Sequence, residues 1–186
     1  MTHYPPDPLS VRNRADLLRL AIDRQHMRST RPVMTPAGPS GTIWSRPAVE
    51  RMNDTDFMVN ALWRLQLLAE WAASAQWATP QLRAEVRRFK KALPHLRQIR
   101  DTQEHFDEYG KGVGKRQKGS KGERPAGWGY GHSPHGVILT YGKYKLDLTS
   151  GIGAARQLHR AIRAAVGPLA SQDVHGGPES VIIRKP

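Results

Sequence analysis

Ten residues near the middle of the chain, Arg100-Asp-Thr-Gln-Glu-His-Phe-Asp-Glu-Tyr109, gather one guanidinium, one imidazole and four carboxylates. Arginine stays charged and offers a fork of donors to phosphate oxygens. Histidine, with an ordinary pKa of about 6.5, exchanges protons near neutrality. Metal-free RNA cleavage requires a base for the ribose 2′-hydroxyl and a cation beside the phosphate. His105 and Arg100 are the candidates for these two roles. Asp101 lies four residues before His105, on the same helical face, and could orient the imidazole. Glu104, Asp107 and Tyr109 are the supporting candidates. The same residues also read as ordinary i,i+4 pairs, Arg100 with Glu104 or Asp101 with His105, worth about 0.2–0.5 kcal/mol each on a solvated helix.

Spacing alone says little. With 20 Arg and 8 His in 186 residues, an arginine followed by a histidine with four to six residues between them arises about 2.6 times by chance, and the chain has three such pairs. Of Arg19–His26, Arg88–His95 and Arg100–His105, only the last has a polar residue directly after the arginine and Phe-Asp-Glu-Tyr after the histidine. It also lies near the end of the helix that follows the most apolar one. In these respects the stretch 93–110 resembles the signature of the HEPN superfamily, small helical domains that include metal-independent RNases. The likeness extends to the order of helices over about 50–166. It implies a helical bundle, RNA cleavage that leaves a 2′,3′-cyclic phosphate, and an antitoxin protein as a possible partner. It also implies a homodimer. Five residues at about 100° each put Arg100 and His105 roughly 140° apart around one helix, so a deformed helix or a second copy must bring them together.

Composition fits an anionic partner. Twenty-nine Lys and Arg stand against 16 Asp and Glu, a net charge of +13, which favours nucleic acid. There is no cysteine, which excludes disulfides, thiol catalysis and cysteine-ligated metals. No apolar run reaches the roughly 20 residues of a membrane span, and the N-terminus shows no apolar leader. The expectation is a soluble, cytoplasmic protein with RNA as partner and no membrane association. His132-Ser-Pro-His135 lacks a neighbouring acid, and His26, His95 and His159 fall on predicted helices without a partner, so no metal site and no cofactor are expected.

Four helical segments position the motif. Val11, Ala15, Leu18 and Ile22, with Leu17 and Ala21 beside them, predict a helix from an N-cap at Ser10 to about Met27. Residues 1–47 are then an N-terminal helix and a proline-rich linker. A second helix, from between Pro47 and Thr55 to about Gln76, buries Met58, Leu62, Leu65, Ala69 and Ala72. Its aromatics Phe57, Trp63 and Trp71, with the following Trp77, belong to the core by the same periodicity rather than to a base-stacking platform. Thr79-Pro80 starts a third helix, and Leu82, Val86, Phe89, Leu93, Leu96 and Ile99 carry its stripe onward. Pro94 breaks it, so the motif segment, about 94–109, is separately oriented.

Residues 110–136 are glycine-rich, with Lys111, Lys115, Arg116, Lys118, Lys121 and Arg124 against one acid, Glu123. They predict a mobile basic loop beside the motif that contacts RNA phosphates without choosing sequence. Gly110 to Arg116 superficially resembles a phosphate-binding loop but has the wrong spacing and follows a helix. Val137–Tyr141 and Tyr144–Leu148 around Gly142-Lys143 read as a β-hairpin over 137–148. A last helix runs from about Gly153 to Val166, capped by Thr149 or Ser150 and stopped by Gly167-Pro168. The domain is thus 48–167 and the tail 168–186. The expected fold is mostly α, a HEPN-like helical bundle with a hairpin inserted before the last helix and a long basic Gly/Lys loop. The expected function is a metal-independent endoribonuclease of toxin or defence type acting on single-stranded RNA. The alternative is a non-catalytic basic helical module that binds nucleic acid or a protein.

Overall fold

The computed structural model describes residues 5–29, 46–105, 128–133 and 136–170. The architecture is mostly helical. Among the described residues, five helices, α1 (Pro8–Ser29), α2 (Arg46–Ala73), α3 (Pro80–Ala92), α4 (Leu96–Glu104) and α5 (Leu148–Ala170), enclose one core. Three strands, β1 (Trp128–Ser133), β2 (Gly136–Tyr141) and β3 (Tyr144–Asp147), form an antiparallel sheet in that order. α1 packs along α2 and α5, α3 lies against α5 and α2, and α4 crosses α2 while touching β2 and β3. The sheet rests on α5 through β2, which supplies the core that two strands alone would lack.

Periodicity explains the core. Met58, Leu62, Leu65, Ala69 and Ala72 of α2 are all buried, as are Leu82, Val86 and Phe89 of α3 and Leu96 and Ile99 of α4. The stripe passes unbroken through Leu93 although the helix does not. Pro94, with no N–H to donate, marks the corner between α3 and α4. Thr79 caps α3 by accepting from the Leu82 N–H at 3.1 Å, with Pro80 next. Trp63, Trp71 and Trp77 lean on the core, and Trp77 donates its indole N–H to the Pro6 carbonyl at 3.1 Å.

Several boundaries differ from expectation. α1 begins at Pro8 because the Asp7 carboxylate, not Ser10, is the cap and accepts the Ser10 N–H at 2.7 Å. Phe57 is 64 % exposed and Leu17 68 % exposed, so neither joins the core. Leu148 is the first residue of α5 rather than the end of a strand. The carboxylate of Asp147 takes the Ser150 N–H at 3.0 Å and its hydroxyl at 2.6 Å, so Asp147 is the acceptor at this helix start. Thr149 instead accepts the Val137 N–H at 3.1 Å, tying α5 to β2. α5 continues past Gly167-Pro168 to Ala170 and so holds a proline inside its last turn.

The region read as one long loop contains β1. Trp128-Gly-Tyr-Gly-His132 alternates large side chains with glycine, a strand period hidden by a loop-like composition. Its partner β2 turns into β3 through Gly142, whose φ of 54° at the first turn position suits a II′ hairpin. The tail 171–186 and most of the basic loop lie outside the described residues.

Candidate functional site

α4 ends at Glu104, not at Tyr109, and His105 is its C-cap, with φ −113° and its N–H on the Asp101 carbonyl at 3.2 Å. Acidic side chains are disfavoured at a helix C-terminus, where the macrodipole is negative. Glu104, Asp107 and Glu108 would all have crowded the final turns of a longer helix. The i→i−4 bond keeps the His105 backbone in helical register, about 140° around the axis from Arg100, so the helix end frees only the direction of its ring. The imidazole is exposed.

Arg100 is three-quarters buried and held on its own helix. Its Nη1 lies 3.4 Å from Asp101 Oδ1, and its Nη2 pairs with the Glu104 carboxylate. Asp101 also faces Arg97, at 3.9 Å. The structure thus brings Arg100, Asp101 and Glu104 into one ionic cluster beneath the end of α4, with His105 next in the chain. Asp107, Tyr109, Lys111, Lys115, Arg116, Lys118, Lys121 and Arg124 lie outside the described residues.

Three residues that no motif flagged hold α4 in place. Gln103 donates its side-chain N–H to Asp56 of α2 at 2.5 Å. Burial pushes the Asp56 carboxyl up to about 6, against the opposing effect of that hydrogen bond. Tyr141 of β2 completes the group. Burial, then the Asp56 charge, raises its phenol well above the ordinary tyrosine value, and a Gln103 hydrogen bond opposes this. Asp56 and Gln103 are 47 positions apart, so only the tertiary fold could reveal them. Beside the same helix the His95 ring tilts against Tyr144 at a centroid distance of 5.4 Å.

α4 is incompletely satisfied. Among the described residues, His95 Nδ1, Gln98 Oε1, Arg100 Nε and Gln103 Oε1 are buried without a hydrogen-bond partner. Each such group costs about 1–3 kcal/mol, and native structures keep few of them. A cleft of about 300 Å³ opens at the corner of α3 and α4, bordered by Trp63, Gln66, Lys90, Pro94 and Arg97. Neither Arg100 nor His105 lines it.

One histidine expected to lack a partner has one. His159 of α5 is buried and its Nε2 lies 2.6 Å from Asp16 Oδ1 of α1. Burial, followed by the charge of Arg156, lowers the pKa of His26. Among the described residues, no three His, Cys, Asp or Glu side chains converge as metal ligands would, and no helix is long and apolar enough to cross a membrane. Comparison with family models, curated proteins and solved structures gave no match.

Proposed function

We propose that this protein is a metal-independent endoribonuclease of the HEPN kind, with His105 as general base and Arg100 at the phosphate. The observation that carries the reading is His105 at the exposed end of α4, a turn and a half beyond a guanidinium that carboxylates hold in place. The neutral imidazole would take the proton of a ribose 2′-hydroxyl. The 2′-oxygen then attacks phosphorus, and the 5′-oxygen leaves with a proton from solvent or from the imidazolium of a facing copy. The product is a 2′,3′-cyclic phosphate. Arg100 would stabilise the charge gathering on the non-bridging oxygens, and Asp101 and Glu104 would set its direction. A homodimer would supply the facing motif, and the basic residues from Lys111 to Arg124 would hold the strand.

A second reading has its own observation. Arg100 is already paired with two carboxylates, as in an ordinary helix-surface cluster, and that favours a non-catalytic basic module that binds nucleic acid or a protein. One experiment separates the two. Wild type, His105→Ala and Arg100→Ala are incubated with single-stranded RNA in EDTA, and light scattering reports the oligomer. Cleavage to cyclic-phosphate ends, lowered about 10²–10⁴-fold in His105→Ala and also lost in Arg100→Ala, supports the enzyme. RNA binding without cleavage, unchanged in both variants, overturns it in favour of the module.

A further inference from the structure

Contiguous apolar surface on a small protein marks a place that something covers, whereas single exposed apolar side chains do not. Among the described residues, the large exposed ones are Leu9, Leu17, Leu20, Met27, Phe57 and Leu67. All six sit on α1 or α2. Spacing explains why they do not enter the core. Leu17, Leu20 and Met27 follow one another at three and seven residues, and Phe57 and Leu67 at ten, so each set stays on one helix face. These faces are distinct from the buried stripes through Val11, Ala15 and Ile22 and through Met58, Leu62 and Leu65.

The two helices run antiparallel. Arg28 near the end of α1 pairs with Asp54 early in α2 at 3.6 Å, while Leu17 and Leu18 meet Leu67 and Leu68. Between them lies a groove of about 480 Å³, walled by these four leucines and Trp71, with Arg14 and Arg64 among its lining residues. A groove of this shape receives a ridge of side chains from a helix, spaced at i, i+3, i+4 and i+7.

Charge decides which helix. The acids of α1 and α2 whose side chains are described are already engaged: Asp16 with His159, Asp23 with Arg19 and Arg156, Asp54 with Arg28, Asp56 with Gln103, and Glu70 with Gln66 and Lys90. Arg14 and Arg64, which line the groove, form no ion pair among the described residues. A second copy docked face to face would set arginines against arginines with no uncommitted acid between them. An anionic membrane would suit the charge but not the concave surface, since bilayers take up protruding apolar faces. We infer that the groove between α1 and α2 docks an amphipathic helix from a partner protein, with leucine-type side chains on one face and Asp or Glu beside them. This inference does not depend on RNA cleavage.

The test uses the full chain and a labelled synthetic helix of about three heptads, with leucines on one face flanked by glutamates. A control peptide carries lysines in place of the glutamates. Fluorescence anisotropy at physiological salt should show the glutamate peptide binding at least about tenfold more tightly than the control. The double variant Leu17→Ser, Leu67→Ser should weaken that binding by about tenfold or more, with an unchanged thermal melt because both residues are exposed. Arg14→Glu with Arg64→Glu should reverse the preference between peptides. Absence of binding, or equal binding of both peptides, overturns the proposal. So does a wild-type dimer that Leu17→Ser, Leu67→Ser converts to monomer, which would make the occupant a second copy. Co-flotation with phosphatidylserine vesicles that the same variant loses would make it a membrane.

Discussion

At the seam of α1 and α5, His159 is buried against Asp16, with Arg163 3.8 Å from the same carboxylate, and Asp23 is shared between Arg19 and Arg156. At the end of α4 the arrangement is inverted. The histidine is exposed, the arginine is the more buried partner, and several buried polar atoms on and just before the helix lack partners. Both places contain a histidine, an arginine and an aspartate: at the seam they meet side chain to side chain, and at α4 Arg100 pairs with Asp101 while the His105 backbone N–H bonds the Asp101 carbonyl. The difference is what each contributes: the seam joins two helices through paired side chains, even though α1 also carries two unpartnered buried atoms, Arg12 Nε and Gln25 Oε1, whereas α4 keeps its ionisable groups at an edge where something else can meet them. Function is therefore sought at α4 and stability at the seam.

Exchanging the two histidines tests this contrast most severely. His105→Ala should reduce RNA cleavage by about 10²–10⁴-fold while shifting unfolding free energy by less than about 0.5 kcal/mol, as exposed positions do. His159→Ala should do the opposite, costing about 2–3 kcal/mol because Asp16 loses its nearer partner, keeping only Arg163, and a buried side chain disappears, with cleavage per folded molecule retained. Urea unfolding and RNA cleavage on the same preparations check both halves. Equal stability losses at the two sites would erase the distinction.

Gly151 probes how α4 is suspended. It lies in the first turn of α5, and a Cβ there would come within 2.7 Å of Leu93 Cδ2, at the corner from which α4 departs. Leu93 is almost wholly buried, so it has little room to yield. Alanine normally improves a helix by about 1 kcal/mol over glycine, but overpacking costs about 1–3 kcal/mol. Gly151→Ala should therefore destabilise by about 1 kcal/mol net, read by urea unfolding. A stabilised variant would show that the corner is looser than the packing implies.

How far the sequence disclosed this molecule follows from the range of each interaction. Leu82, Val86, Phe89, Leu93, Leu96 and Ile99 could be aligned from spacing alone, because burial on a helix repeats within one or two turns. Thr79-Pro80 was equally plain, since a cap is made by neighbours in sequence. The Asp56–Gln103 and Asp16–His159 contacts span 47 and 143 positions, and no local pattern signals them. Leu17 and Phe57 show the converse: apolar residues beside a core stripe read as core until the packing leaves them outside. The Arg100–Glu104 pair was legible too, from its i,i+4 spacing, whereas the burial of Arg100 and the end of the helix at Glu104 depend on packing that spacing does not determine.

Asp56 offers the smallest effect and the sharpest sign. Its carboxyl is raised from 3.8 to about 6, chiefly by burial, so the folded chain holds this proton more firmly than the unfolded chain does. Folding then takes up a proton between those two values. Its contribution to stability is greatest below about pH 4 and declines as the pH rises through about 6, where the buried carboxylate must be charged. Asn at this position keeps an acceptor for Gln103 but does not titrate. The melting temperature of Asp56→Asn, taken relative to wild type, should therefore climb between about pH 4 and pH 7 by roughly 3 °C, since the full linkage of about 3 kcal/mol falls to about 1 kcal/mol for a partly solvated carboxyl. Other titrating groups cancel in that difference. A flat difference would mean that Asp56 is solvated in the folded state, and α4 would then be held to α2 by its apolar stripe, through Leu96 and Ile99, rather than by the Gln103 hydrogen bond.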